Sequence, residues 1–208
     1  MQQPKLLAIG GGYVDINAPQ FPFGDQGLNV ETEYVGNGYQ LEPGGAAVNF
    51  ARLCASLGLP AAFIGKVGDD TMGHILSDLL TKEGVIPLLV FDTTVSTNVS
   101  FNMINSHGKS IMAVAGDANQ ALRADEVYDH ASLDTTDYLF IGGCFKLKSL
   151  LPAFQQLTVQ AKDSNTKIIL DHSRVNSSVT ESEKEIVRNL ALSADYYLPS
   201  KDEFLELW

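Results

Sequence analysis

Two glycines and an asparagine open the chemistry of this chain. In EPGGAAVNFARLCASLGLPAAFIGKVGDDTMG, which runs from Glu42 to Gly73, Gly44 and Gly45 precede an apolar run and Asn49 falls in its first turns. Glycines there leave backbone N–H groups uncovered and put no Cβ in the way of a ligand. The Asn49 amide both donates and accepts, which is what a hydroxyl group asks of a partner. The trio suits a small hydroxylated ligand lying on a helix start. A plain loop with Asn49 turned to solvent fits the same spacing. Asp15, in GGGYVDINAP, is the third kind of candidate. A carboxylate just past a first strand, on the edge where open α/β sheets take ligands, can accept from two vicinal hydroxyls. It can equally cap a turn. The glycine triplet before it lacks the spacing of a dinucleotide fingerprint.

These residues need elements to hold them. Lys5 to Ile9 reads as a buried strand ending at the glycines, Ala46 to Leu57 as a helix closed by Gly58, and Ala61 to Val67 as the next strand. Asp69 or Asp70 caps a helix that runs to Gly84, and Ile86 to Phe91 is strand-like. The alternation resumes with a strand at Tyr138 to Ile141, a helix at Leu147 to Lys162 and a strand at Lys167 to Leu170. Thr180 and Glu183 form a capping box for a helix to Ala191. Asp195 to Leu198 is a strand, and a helix starts at Ser200. Strands apolar on both faces, alternating with helices, predict an α/β fold with a mostly parallel sheet. Two segments break the rhythm. Asn29 to Leu41 and Val95 to Val114 alternate polar and apolar residues around NG and SHGK, which predicts two projecting antiparallel hairpins able to cover a ligand crevice.

Composition narrows the classes. With 208 residues, 45% hydrophobic and 19% charged, the chain makes one large domain with a real core. A net charge of -11 argues against nucleic acid as a partner. The only two cysteines, Cys54 and Cys144, share no metal-ligand spacing and point to a reducing, cytoplasmic setting, with Cys144 a small buried thiol. His74, His107, His130 and His172 form no metal pattern and read as exposed or locally bonded. No apolar run has the length of a signal segment or a membrane span. KDEFLELW stops abruptly on Trp208, which leads us to expect a fragment of a longer protein.

The glycine–asparagine stretch resembles the first signature of the ribokinase-like (PfkB-type) carbohydrate kinase family, with Gly44, Gly45, Asn49, Ala51, Gly58 and Gly68 in register. GGYVDIN, GDANQAL at 116–122 and YYLPSKDEFLEL resemble the family in the right order. The resemblance implies a Rossmann-like αβα sandwich over residues 1–208, with a small antiparallel β lid from segments at about 12–42 and 92–115, through which family members form homodimers. It implies transfer of a phosphoryl group from ATP, with Mg²⁺, to a sugar hydroxyl. Asp15, Gly44, Gly45 and Asn49 match the family's substrate contacts. Ser200 and Glu203 stand where the family has Asn-x-x-Glu, which assigns them to the nucleotide and Glu203 to the metal; Ser-x-x-Glu is also a capping box. DHSR at 171–174 resembles a phosphate-binding run one residue longer, which would give Arg174 to the phosphates.

One departure is large. The family's Gly-Ala-Gly-Asp turn, which carries the catalytic base, does not occur, so no catalytic residue is assigned and the base is expected beyond Trp208. The 208-residue chain alone is therefore expected to be inactive. A nucleoside kinase and a non-catalytic sugar-binding remnant are the alternatives. A lid whose only base in the second hairpin is Lys109 favours a neutral sugar.

Overall fold

The computed structural model describes residues 3–29 and 31–208. Ten strands form two sheets. In the first, β1 (Leu6–Ile9) lies near the centre, flanked by β4 (Ala61–Gly68), with β5 (Val85–Asp92) beyond it. On its other side come β8 (Tyr138–Gly142), β9 (Lys167–Asp171) and the short β10 (Tyr196–Tyr197). All five pairings are parallel.

Strict alternation along these strands builds two cores. Leu6, Ala8, Phe63 and Phe140 face one side, where they pack on α1 (Ala46–Ser56) and α2 (Thr71–Lys82). Leu7, Ile9, Ile64, Leu139 and Ile141 face the other. There they meet α4 (Ala124–His130), α5 (Leu151–Asp163) and α6 (Glu181–Ser193), which follow the single-turn α3 (Ala118–Ala121). The result is the αβα sandwich that the apolar strands require. A final helix, α7 (Lys201–Leu207), tucks Leu207 into the second core. Among the described residues no helix is long and apolar enough to cross a membrane.

The second sheet comprises β2 (Tyr13–Ala18), β3 (Gln40–Gly44), β6 (Val99–Ile104) and β7 (Ser110–Ala115), in the order β3-β2-β6-β7. Its outer pairs are antiparallel, but the central pair, β2 with β6, is parallel. The small antiparallel sheet expected is thus present and mostly antiparallel, with one parallel pair at its centre because β2 and β6 both leave the first sheet in the same direction.

Several expectations need correction. Asn29 to Leu41 is not a hairpin: residues 31–39 are irregular, β3 begins at Gln40, and its partner is the distant β2. The polar residues in that stretch supplied alternation without an apolar face to bury. Val30, inside the same stretch, lies outside the described residues. The Val95 to Val114 hairpin does form, but from Val99, with residues 95–98 serving as a crossing between sheets. Asn105 closes its turn: its N–H meets Lys109 O at 2.9 Å, and its side chain accepts from the Lys109 N–H at 2.9 Å. The helix expected from Leu147 starts at Leu151, with Pro152 in its first turn, and two 3-10 turns precede it.

Lys66, in the fully buried β4, was not foreseen. Its ammonium lies 2.9 Å from Asp92, 2.8 Å from Glu126 and 3.3 Å from Ala121 O, joining β4 to β5, α3 and α4. Burial alone would push this ammonium down; Glu126 and Asp92 hold it above its ordinary value. Removing one partner of a buried ion cluster is far costlier than replacing the cluster. Lys66→Met is expected to lower stability by about 2–4 kcal/mol in urea melts. Adding Glu126→Gln should recover part of that loss, and a wild-type midpoint for the single variant would show the cluster to be idle.

Candidate active site

The chain passes between the sheets four times, at 10–12, 44–45, 93–98 and 116–117. The candidate ligand residues gather at the first two crossings. Asp15 sits not on a loop past β1 but within β2, paired with Glu42 of β3 and Ser100 of β6. Its carboxylate lies against Gly44, so closely that a Cβ there would occupy its place. Gly45 is the N-cap of α1, with φ +107°, and a Cβ on it would strike Gly11 O. Both glycines are dictated by contact as well as conformation. No side chain caps α1, whereas Asp70, Thr180 and Ser200 cap α2, α6 and α7. The first-turn N–H groups of α1 thus remain without a side-chain acceptor, next to a carboxylate.

Asn49 lies one turn into α1 and is exposed. Its Oδ1 accepts from Arg52 at 3.1 Å, and Arg52 is anchored by Pro43 O at 2.8 Å and by Glu83. Its Nδ2 has no partner among the described residues. The structure thus brings Asp15, Gly44 and Gly45 into contact, with Asn49 on the same helix and held in one orientation.

Burial pushes the Asp15 carboxyl above its ordinary value and Glu42 adds to the rise, against the pull of Ser100, Arg52 and Lys146. Lys146 was missed by the sequence reading. It follows β8, stands 5.2 Å above the Tyr13 ring, and gave no signal in a run of ordinary surface residues.

Asn119 was missed too, although GDANQAL had been noted. It is buried, accepts from the Gly12 N–H at 3.0 Å and returns a bond to Gly12 O at 3.2 Å. Its own N–H meets Asn98 Oδ1 at 2.8 Å, and Asn98 reaches Gly116 O at 2.8 Å. Asp70 likewise does more than cap α2: it takes Thr97 N–H at 2.9 Å and the Thr97 hydroxyl at 2.7 Å. These buried and half-buried side chains fasten the crossings that present the candidate residues.

A second cluster lies at the ends of β9 and β10. Glu203 completes the capping box with Ser200, accepting from its N–H at 2.8 Å. Burial would raise Glu203, but the Ser200 N–H and hydroxyl, with Arg174 behind them, hold it below its ordinary value. Asp171 nearby is raised, by burial and by the charge of Glu203. Arg174 is exposed and makes no ion pair among the described residues. Two carboxylates that raise one another's cost, beside a free guanidinium, form a donor set able to take a divalent cation and phosphate oxygens. No group of three or more metal-ligating residues occurs among the described residues. β8 separates β1 from β9, two strand spacings or about 10 Å across the first sheet.

Cys54 and Cys144 are free, and burial pushes the Cys144 thiol up to about 12, which leaves it inert. His172 is buried between Phe145 and Tyr197 rather than exposed, with Nδ1 bonded locally to Ser173 O.

The family model described as pfkB family carbohydrate kinase matches residues 11–208. Fructokinase-2 of Oryza sativa subsp. japonica is 41% identical over 73 residues, covering 35% of this chain and 22% of that protein. The 5-dehydro-2-deoxygluconokinase of Lacticaseibacillus casei is 28% identical over 210 residues, covering 98% of this chain and 62% of that protein. The chain therefore spans less than two thirds of the length of these curated relatives. Among solved structures, a PfkB protein from Polaromonas sp. superposes with a TM-score of 0.81 at 21% identity, covering 99% of this chain and 68% of the other. A fructokinase with bound ATP from Xylella fastidiosa gives 0.73 at 18%, covering 94% and 61%. These likenesses establish the fold.

The raised Asp15 carboxyl has a definite sign. A carboxyl raised on folding costs stability while ionised, and that cost fades as pH falls through the raised value towards 3.8. Asp15→Asn is therefore expected to melt higher than wild type at pH 7, with the gap closing on acidification. The same variant should lose most of its affinity for a polyol. A lower melting temperature at pH 7 would contradict the electrostatic account.

Proposed function

We propose, since this chain belongs to the pfkB family of carbohydrate kinases, that the full-length protein transfers the γ-phosphoryl group of ATP to a hydroxyl of a neutral sugar. The observation that carries the reading is the Asp15 carboxylate seated on Gly44 beside the uncapped start of α1. A sugar hydroxyl donates to Asp15 while a second takes an N–H of α1, and the glycines let the ring reach the backbone. Asn49 offers its unused Nδ2 from the next turn.

Glu203 and Arg174 are the residues that would hold magnesium and the phosphates, with Ser200 keeping Glu203 ionised. The metal, when bound, spreads the charge of the transferring group. What this chain supplies is position: a sugar at the end of β1 and a phosphate corner two strands away. No base is assigned within residues 1–208.

The second sheet, made of segments about 12–42 and 92–115, acts as the lid that keeps water from the phosphoryl group. Its polar face turns to the crevice. Beside it lies a groove of about 510 Å³ lined by Ile16, Phe101 and Met103 together with Phe21, Tyr39 and Asn102. Burying that groove against a second copy makes the homodimer. The unpaired cysteines agree with a cytoplasmic setting.

A neutral sugar is favoured because Asp15 and Glu42 share one face, and Lys109 is spent on Asp25 at 3.4 Å. Fructose is the first substrate to try, since fructokinases are among the relatives. The deciding assay gives the full-length protein ATP, Mg²⁺ and a panel of fructose, ribose, adenosine and fructose phosphates. The expected result is ATP-dependent turnover of a free sugar, abolished in Asp15→Asn, with the 208-residue chain alone silent. Preference for adenosine or for a sugar phosphate would overturn the assignment, as would turnover by residues 1–208. For the dimer, Phe101→Glu is expected to weaken self-association at least tenfold by sedimentation; an unchanged dimer would place the contact elsewhere.

A further inference from the structure

Asp15 is not alone on its face of the second sheet. β2 contributes Tyr13, Asp15 and Asn17 to that face, and the pairing sets Asn17 beside Asn102 and Asp15 beside Ser100. Tyr13 lies under Lys146 of the main body, so this face looks into the crevice, and Asn102 also borders the apolar groove.

The side chains there form one continuous chain of hydrogen bonds. Ser100 Oγ donates to Asn102 Oδ1 at 3.0 Å, Asn102 Nδ2 to Asn17 Oδ1 at 2.9 Å, and Asn17 Nδ2 to Glu42 Oε2 at 3.2 Å. Its direction is forced. A carboxylate only accepts, so Asn17 must turn its NH₂ to Glu42 and its oxygen to Asn102. Asn102 must then do the same, and Ser100 must give up its single proton. Two consequences follow. Each amide retains one N–H and one lone pair unused, in a fixed orientation. Ser100 has a single proton to share between Asn102 and Asp15, so the Asp15 carboxylate keeps acceptor capacity for a ligand.

We propose that Asn17 and Asn102 are specificity-determining residues: they read sugar hydroxyls beyond those held at Asp15, and so select a fully hydroxylated sugar over its deoxy analogues. The assignment rests on the sugar-kinase reading. Asn17 follows Asp15 by two residues on one strand face, about 7 Å, which is comparable with the span of a hexose. Both amides are half-buried, so a sugar lacking the matching hydroxyl leaves their remaining groups covered and unpaired. A site built to bond a hydroxyl rejects the analogue without it far more strongly than an apolar wall rejects an added one. Glu42, at the exposed end, orients the whole row without touching its far members.

The test is calorimetric binding of fructose and each of its monodeoxy analogues to full-length wild type, Asn102→Leu, Asn102→Ala and Asn17→Leu, with thermal melts alongside. Wild type should prefer fructose to at least one analogue by about tenfold or more. In the Asn102 and Asn17 variants that ratio should fall to within about twofold, because fructose binds more weakly while the analogue does not. If every sugar weakens by one common factor, the row is only scaffolding and the proposal fails. It fails too if wild type binds all analogues as well as fructose. Absence of any sugar binding by wild type would sink the sugar-kinase reading itself, a result distinct from an unchanged ratio.

Discussion

Buried peptide groups at the crossings between the two sheets have to be hydrogen-bonded without closing the space a ligand needs. That constraint organises the rest of the molecule. A strand would satisfy Gly12, but a strand there would fill the crevice. Asn119 satisfies it instead, with both faces of one amide, and is itself held by Asn98. With Gly12 fixed, Gly11 O is fixed, and Gly45 has to pass against it with no side chain. The start of α1 is thereby set beside Asp15. Thr97 and Asp70 perform the corresponding task at the third crossing, where Gly68 donates to the Thr97 hydroxyl at 2.9 Å. Asn119, Asn98 and Thr97 are buried, Asp70 is half-buried, and all are paired, which is the condition under which such networks rigidify a structure instead of weakening it.

The ligand residues break local rules that the rest of the chain obeys. α2, α6 and α7 each begin on a side-chain cap. α1 begins on two glycines and has none. Asp15 is held partly buried, with Glu42 as a like-charged neighbour and the Ser100 hydroxyl shared with Asn102. Such departures cost stability and persist where a ligand gains from them. Lys66 shows the opposite arrangement. A buried cation with two carboxylates and a carbonyl is fully served, and its position behind the third and fourth crossings is structural.

What could be read from the sequence follows the range of each interaction. Strands apolar on both faces made the parallel sheet legible, because each strand carries its own evidence. The caps at Asp70, Thr180 and Ser200 were legible for the same reason: donor and acceptor lie three residues apart. The Gly44–Gly45–Asn49 spacing was legible as a pattern, but its geometry was not, since Asp15 reaches Gly44 only through the pairing of β2 with β3. That pairing was missed because the irregular stretch before Gln40 carried most of the alternation that marks a strand, while β2 followed three glycines and looked like loop. Asn119, Lys66 and Lys146 were illegible for one common reason. Their partners are 107 residues away in the case of Gly12 and 60 in the case of Glu126, and no local spacing encodes such contacts.

The same distinction separates the two halves of the site. The proposed phosphate corner is assembled from local pieces: Ser200 and Glu203 within one capping box, Asp171 and Ser173 within one turn closed at 2.8 Å. Each forms as soon as its own strand and helix do. The proposed hydroxyl-binding half draws on β2, β3, β6, α1 and α3, and forms only when both sheets are in place. Its contacts are long-range, so it carries the greater loop-closure cost and is the half that ordering by a ligand can most affect. On the proposed reading, a hydroxyl-bearing molecule that bridges Asp15, on the second sheet, and the start of α1, on the first, adds a link to those that Asn119 and Thr97 already make.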